Sequence, residues 1–454
     1  MVVMVAVDRV PAGQLPRVRP RRRLVADFRH LSADYRKPTA RPGRSFAVSD
    51  MTLASLERQP ADDLVATSGS PRIAEWRRMR VWFSAHAVDD LSQGLVPAAI
   101  PYFVLERHYG YGAASGLALA ATVGSAVPQL LVGAIVDGRR VSWMAPLGLV
   151  LAGVGVGLAG LVHVYGAVFG LLVLSGLGVA MFHPPAGRDA RRAAGHSATA
   201  MSYFAAGGST GFFLAPALAT PALDAWGLDA LALVIAPAVL MAAVLVCHQR
   251  RAVAETTSAT PHGGVDRPRM FALLIAVEVT RSCISFGVNT FVALYWIRHL
   301  GASSALGGAA LTLELAGGIV GTLLGGRIAD RIGATRTVQL GNCLLIPAFA
   351  ALLLCSDPYA ALPLIALVGV ITNIPFAVLI KLGQDYLPSR PGTAAGVTLG
   401  LAVSAGGLFQ PVLGLVADHH GPRGAFHVLA VLPIVAITLA ARLQPPTRPA
   451  GSRG

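Results

Sequence analysis

The chain has 454 residues, of which 54% are apolar and only 13% charged, with a mean hydropathy of +0.60. So little charge cannot cover a soluble surface of this size, and 50 glycines and 30 prolines among long apolar runs suit helices that cross a bilayer. The net charge of +14 does not mark a nucleic-acid binder: residues 1–80 hold 16 Arg and Lys against 8 Asp and Glu, and almost all of the remaining excess lies in short loops between apolar runs.

The first 80 residues are rich in Arg and Pro, as in the stretch Arg17 to Arg23, and lack the unbroken apolar core of a signal peptide. They read as a disordered basic extension, or as sequence upstream of a true start at Met51 or Met79. A span needs about 20 apolar residues to cross about 30 Å of hydrocarbon. On that measure six spans are expected near 82–105, 112–136, 144–163, 167–183, 197–221 and 228–247. Six more follow near 270–297, 305–326, 337–355, 359–380, 394–417 and 424–442. The polar stretch 248–269 reads as a linker between an N-terminal half, 81–247, and a C-terminal half, 270–442, with 443–454 as a tail. Cys247, Cys283, Cys343 and Cys355 lie in or beside apolar segments without ligand spacing, so neither a metal nor a cofactor is expected.

Loop charge orients this array. With the N-terminus inside, the inner loops and tail beyond residue 81 hold seventeen Lys or Arg, among them Arg139, Arg188, Arg191, Arg250, Arg331, Lys381 and Arg390; the outer loops hold only Arg107, Arg298 and Arg423. That bias predicts an even number of spans and both termini in the cytoplasm of an inner-membrane protein. Two motifs also recur. Gly133 and Asp137-Gly138-Arg139 after span two return as Gly326, Asp330-Arg331, Gly333 and Arg336 after span eight, 193 residues on. Ala206-Gly207-Gly208 in span five returns as Ala405-Gly406-Gly407 in span eleven, 199 residues on. Duplicated halves are expected: an all-α membrane protein of twelve helices in two six-helix pseudo-repeats, with a site between them.

The string Gly326-x-x-x-Asp330-Arg331-x-Gly333-x-x-Arg336 resembles the loop motif of the major facilitator superfamily, which implies the fold of that family and a latch on its alternating-access cycle. The copy at Gly133, Asp137 and Arg139 is shorter, with Gly138 in an arginine position, which predicts a weaker latch there. Span one, His86-Ala-Val-Asp89-Asp90-Leu-Ser-Gln93, is similar to the opening of the fosmidomycin-resistance efflux group. So are Phe182-His183-Pro184 and Gly383-Gln384-Asp385-Tyr386-Leu387-Pro388, while Gly207, Gly208, Gly211 and Pro216 resemble a Gly-rich antiporter motif. The chain departs from that group at Pro185, Ala205 and Ser209, where glutamate, glutamine and asparagine are usual. The resemblance implies export of a small organic compound and leaves its identity open.

Four charges fall near the midplane. At a rise of about 1.5 Å per residue, Asp90 and Glu278 lie about 12 Å into their spans, Glu314 about 13 Å and Arg281 about 16 Å. Asp90, beside Asp89 and without a local Arg or Lys, has the setting of a group that binds and releases a proton, or of a packing hydrogen bond; Glu314 and Glu278 are the other proton-coupling candidates. Arg281 stands three residues from Glu278 and either neutralises it or holds an anionic substrate. His86, Gln93, Asn289, Asn373 and Gln410 are candidates for the substrate pathway, with packing or interhelical hydrogen bonds as the plainer reading of each. Gly207, Gly208, Gly211, Gly406 and Gly407 are expected to permit close helix packing, and Pro97, Pro101, Pro216 and Pro411 to kink their helices.

The expected function is secondary transport: proton-coupled efflux of a small molecule by a monomer in the lipid bilayer, with uptake by a proton symporter as the alternative. A membrane sensor or an intramembrane enzyme is remote, since the sequence has no His-Glu-x-x-His, no Gly-x-Ser-x-Gly and no nucleotide-binding loop.

Overall fold

The computed structural model describes residues 71–139, 141–255 and 265–446. Among these, nine helical stretches are long and apolar enough to cross a bilayer. Two of the nine, Ala198–Arg251 and Pro391–Ala440, run 54 and 50 residues, twice a single span. Each turns back at a glycine in the left-handed region, Gly227 (φ 62°) and Gly421 (φ 69°), where a side chain would strain the backbone. The first helix, less apolar because it carries His86, Asp89, Asp90 and Gln93, makes the twelfth span.

The N-terminal half comprises α1 (Pro71–Arg107), α2 (Tyr111–Gly138), α3 (Met144–Leu161), α4 (Tyr165–Ala194), α5 (Ala198–Trp226) and α6 (Ile235–Glu255), with a 3-10 helix, Gly227–Val234, leading into α6. The C-terminal half comprises α7 (Pro268–Leu294), α8 (Ser304–Ile332), α9 (Ala334–Leu354), a tenth span split into α10 (Ala361–Asn373) and α11 (Phe376–Tyr386), and an eleventh begun by α12 (Pro391–Gly396) and α13 (Ala402–Leu408). The last helix, α14 (Gln410–Ala440), finishes span eleven and, past Gly421, forms span twelve. Helices satisfy their own backbone groups, which is why an apolar chain in lipid takes this form.

Three boundaries differ from those expected. Residues 71–80 belong to α1 rather than to an extension, because Met79 and Trp82 are buried against Phe182, Met201 and Phe204; residues 1–70, with Met51 and Arg17 to Arg23, lie outside the described residues. The linker is shorter at both ends, since α6 runs to Glu255 and α7 starts at Pro268. Helix α4 continues through Pro184 and Pro185 to Ala194, so Arg188, Arg191 and Arg192 sit on its last turns rather than in a loop. Both α1 and α5 run on through Pro97, Pro101 and Pro216, whereas the tenth span breaks at Ile374-Pro375, where proline supplies no N–H.

Each half packs a core of its own, around Phe103, Leu172 and Leu223 in one and around Tyr295, Trp296, Phe349 and Phe426 in the other, and a third core around Phe182 and Phe204 takes in Ile380 and Leu399 of the C-terminal half. Large apolar side chains such as Leu131, Leu240, Leu354 and Val431 are exposed, as lipid-facing residues are. The halves meet along α2, α4 and α5 on one side and α8, α11 and α12 on the other.

Candidate functional site

The polar groups of the N-terminal half converge. Helical spacing puts His86 and Asp90 on one face of α1, with Asp89 beside them, and α4 brings His183 against that face. His86 Nε2 lies 3.2 Å from His183 Nε2 and 3.4 Å from Asp90 Oδ2, while His183 Nε2 lies 3.4 Å from Asp90 Oδ1. Asp89 Oδ2 is 3.4 Å from His183 Nδ1. All four residues are buried, and Asp90 Oδ1 and both oxygens of Asp89 have no hydrogen-bond partner. Among the described residues no Arg or Lys forms an ion pair with either aspartate. The setting expected for Asp90 is thus changed by two histidines 97 residues apart, which sequence reasoning named separately and did not join. Gln93 lies one turn further along α1, half-buried.

In the C-terminal half, Arg281 clamps Glu278 with two hydrogen bonds, Nη2 to Oε1 at 2.6 Å and Nε to Oε2 at 2.9 Å, and its guanidinium stacks 4.6 Å from the Phe376 ring. Of the two readings left open for this pair, the geometry is that of mutual neutralisation. Glu278→Gln should therefore leave a buried guanidinium without its counter-charge, at a cost of about 3–5 kcal/mol, whereas the double change Glu278→Gln with Arg281→Met should recover most of that loss. Thermal unfolding of the purified proteins measures both; equal stability of the wild type and Glu278→Gln would remove the pair from the list of structural contacts.

Glu314 has a different environment. It is buried in α8, its Oε2 has no hydrogen-bond partner, and the backbone beside it packs against Gly369 of α10. Two of the amides expected to line the pathway bond within their own spans: Asn373 Nδ2 donates to Gly369 O at 3.0 Å and Gln410 Nε2 to Gly406 O at 3.3 Å. Asn289 Oδ1 and Gln410 Oε1 are buried without partners.

At the arginine-rich end, the two copies of the loop motif perform the same task. Asp137 accepts hydrogen bonds from Gly392 N (2.6 Å), Thr393 N (2.8 Å) and Thr393 Oγ1 (2.6 Å), at the start of span eleven. Asp330 accepts from Ala198 N (2.7 Å) and Thr199 N (2.8 Å), at the start of span five. Each carboxylate thus caps a helix of the opposite half, where free N–H groups and the helix dipole favour a negative charge. Gly133 and Gly326 leave room for these helix starts. The shorter copy makes no fewer bonds, so the weaker latch expected from Gly138 is not what the geometry has. Arg139, Arg331, Gly333 and Arg336 are exposed beside the caps.

Two further ties cross between the halves at this end. Arg191 Nη2 donates to Asp385 Oδ1 at 2.6 Å, with Lys381 Nζ on the other oxygen at 2.7 Å, and Gln384 Nε2 donates to Gly187 O at 3.0 Å. Sequence reasoning noted Arg191 as a loop charge and Asp385 as a motif member, but not the two as partners across 194 residues. Of the small residues, Gly207 and Gly211 lie against the backbone of Phe83 and Ala87 on α1, and Gly406 lies against Ser282 of α7. Gly407 faces open space, so it does not support the close packing expected of it.

Twelve spans in two related halves, tied across one end and holding buried acids between helices, define a membrane transporter. The chain belongs to the Major Facilitator Superfamily, whose sequence profile matches residues 82–411. It is 28% identical over 367 residues to the fosmidomycin resistance protein of Escherichia coli (strain K12), covering 78% of this chain and 89% of that protein. An uncharacterized MFS-type transporter of Bacillus subtilis (strain 168) is 27% identical over 372 residues, with the same coverage. Among solved structures, the transporter FucP in its outward conformation superposes with a TM-score of 0.66 at 14% identity, over 81% of this chain and 98% of that one. A bacterial homologue of the iron transporter ferroportin, outward-facing, superposes at 0.62 with 14% identity, over 81% and 99%. At such identities the superpositions carry the fold alone.

Proposed function

We propose that this transporter exports a small organic compound in exchange for protons, as a monomer in the inner membrane with both termini in the cytoplasm. Glu314 is the observation that carries the coupling. An isolated ionised carboxylate at that depth costs several kcal/mol, so a carboxyl without a partner holds its proton until water or a cation reaches it. Glu278 is held by Arg281, and Asp90 faces two histidines; among the described residues no Arg, Lys or His forms an ion pair with Glu314, and its Oε2 is buried without a hydrogen bond.

The loop-charge bias supports a cytoplasmic position for the capped, arginine-rich end, so we read the arrangement as closed on the inner side. On that orientation Glu314 falls in the outer half of α8, which supports its taking up a proton from the exterior side. The resistance function named for the Escherichia coli relative supports the outward direction. Susceptibility profiling of deletion and overexpressing strains, with fosmidomycin as one compound of the panel, would identify a substrate. Cellular retention of that substrate should then rise when an uncoupler collapses the proton gradient; a fall would mean uptake.

A further inference from the structure

We propose that His86, His183 and Asp90 form a binding site for one first-row divalent transition-metal ion, of the Zn2+ class, between α1, α4 and α5. The hydrogen-bond pattern comes first. His86 Nδ1 lies 2.8 Å from Phe204 O and His183 Nδ1 lies 3.0 Å from Val179 O. A carbonyl oxygen only accepts, so each Nδ1 carries the hydrogen and each neutral ring turns a bare lone pair outward at Nε2. Those two nitrogens lie 3.2 Å apart, with Asp90 Oδ2 3.4 Å from His86 Nε2 and Asp90 Oδ1 3.4 Å from His183 Nε2. Donor atoms converging in this way repel unless a cation lies between them.

The spacing suits a metal. Zn–N and Zn–O bonds of about 2.0–2.1 Å at tetrahedral angles put donor atoms about 3.3–3.4 Å apart. The two Nε2 atoms lie 3.2 Å apart, near that edge, and each has a different Asp90 oxygen at 3.4 Å. One ligand atom from each of the three residues falls within 4.8 Å of the others, so a small turn of the Asp90 carboxylate completes the set. Metal-bound histidines also characteristically donate their second N–H to a backbone carbonyl, which fixes ring and tautomer, as Phe204 and Val179 do here. Imidazole with carboxylate selects zinc, cobalt or nickel over calcium and magnesium.

Charge balance admits a metal or a shared proton, and the titration below tells them apart. Asp89 and Asp90 place two carboxylates in a site without Arg or Lys partners, and three of their four oxygens are unbonded. A divalent cation balances both aspartates when both are ionised, whereas one proton between the imidazoles balances Asp90 alone and leaves Asp89 to hold its own proton. The wall of the site is Gly208 of α5, where a Cβ would collide with Asp90 Oδ2 and stand 2.7 Å from His86 Nε2. A fourth position remains for water or for an oxygen donor of a bound compound.

The test uses the full chain, purified in detergent, stripped with chelator and titrated with Co2+. The expected result is one saturable site with the intense visible bands of four-coordinate cobalt, bleached by Zn2+. His86→Asn and His183→Asn place an amide nitrogen near the Nδ1 position, so the backbone hydrogen bond persists while the Nε2 ligand is lost. Each should weaken binding by roughly 100-fold or more, beyond the loss caused by removing an outer-shell partner. Gly208→Ala should do the same with every ligand intact. Absence of the four-coordinate spectrum from the folded wild type would overturn the proposal whatever the variants do. So would equal binding by the wild type and the His86→Asn, His183→Asn double variant, which would leave a shared proton as the occupant of the cluster.

Discussion

Replacing Glu314 by glutamine is expected to reduce gradient-driven transport to background while leaving substrate binding and substrate–substrate exchange in place. The amide has the shape of the protonated carboxyl and hydrogen-bonds in much the same way, but it has no proton to release. The buried position should tolerate it, since no cation loses a partner by the change and the side chain volume is nearly kept. Folding yield and monodispersity should therefore match the wild type, which separates a transport defect from a packing defect. In proteoliposomes, an imposed pH gradient should drive wild-type accumulation of the identified substrate and fail to drive the variant. Counterflow, which needs no net proton movement, should persist. If the glutamine variant still concentrates substrate against its gradient, Glu314 does not carry the proton, and the coupling belongs to another buried acid.

Breaking both helix caps should have the second largest effect. In Asp137→Asn with Asp330→Asn, each side chain retains one carbonyl oxygen where the carboxylate offered two to a helix start. Hydrogen bonds to charged groups contribute about 1.5–3 kcal/mol each. A loss of about 2–3 kcal/mol shifts the equilibrium away from the closed arginine-rich end by roughly 30- to 150-fold. Ala395 reports the change, because it is fully buried where span eleven meets Gly187 of α4. With Cys247, Cys283, Cys343 and Cys355 replaced, a cysteine at position 395 should react with a permeant maleimide far faster in the double variant than in the otherwise wild-type chain. Equal rates would show that the caps do not hold that end shut. The single variants should have similar effects, since both copies bind the same kind of helix start with similar distances.

Much of the architecture was legible in the residues because it rests on local quantities. A span is a window of apolar residues, a loop is the charged break between two of them, and the repeated halves appear as the same short strings 193 and 199 residues apart. The depth of Asp90, Glu278, Glu314 and Arg281 follows from counting turns, and the spacing of Glu278 and Arg281 already put them on one face. Hydropathy alone also allowed both long stretches to be divided in two, although the turns at Gly227 and Gly421 appear only in the backbone.

What the tertiary structure decided is which faces meet. His86 and His183 are remote in sequence and adjacent in space because α4 packs on α1, and nothing in either helix states that rotation. Arg191 and Asp385 belong to different halves, so their pairing depends on how the halves close. Residues 71–80 looked like polar extension because Arg and Glu dominate their composition; they are helical because Met79, among them, has a core to enter. The shorter loop motif misled for a related reason. Its aspartate bonds to backbone N–H groups that almost any residue supplies, so a missing arginine does not weaken the cap. Composition and periodicity measure what a segment costs in water and in lipid, and that determined the twelve helices; the partner of each buried polar group depends on contacts between segments far apart in the chain, and only the packed bundle brings them within hydrogen-bond distance.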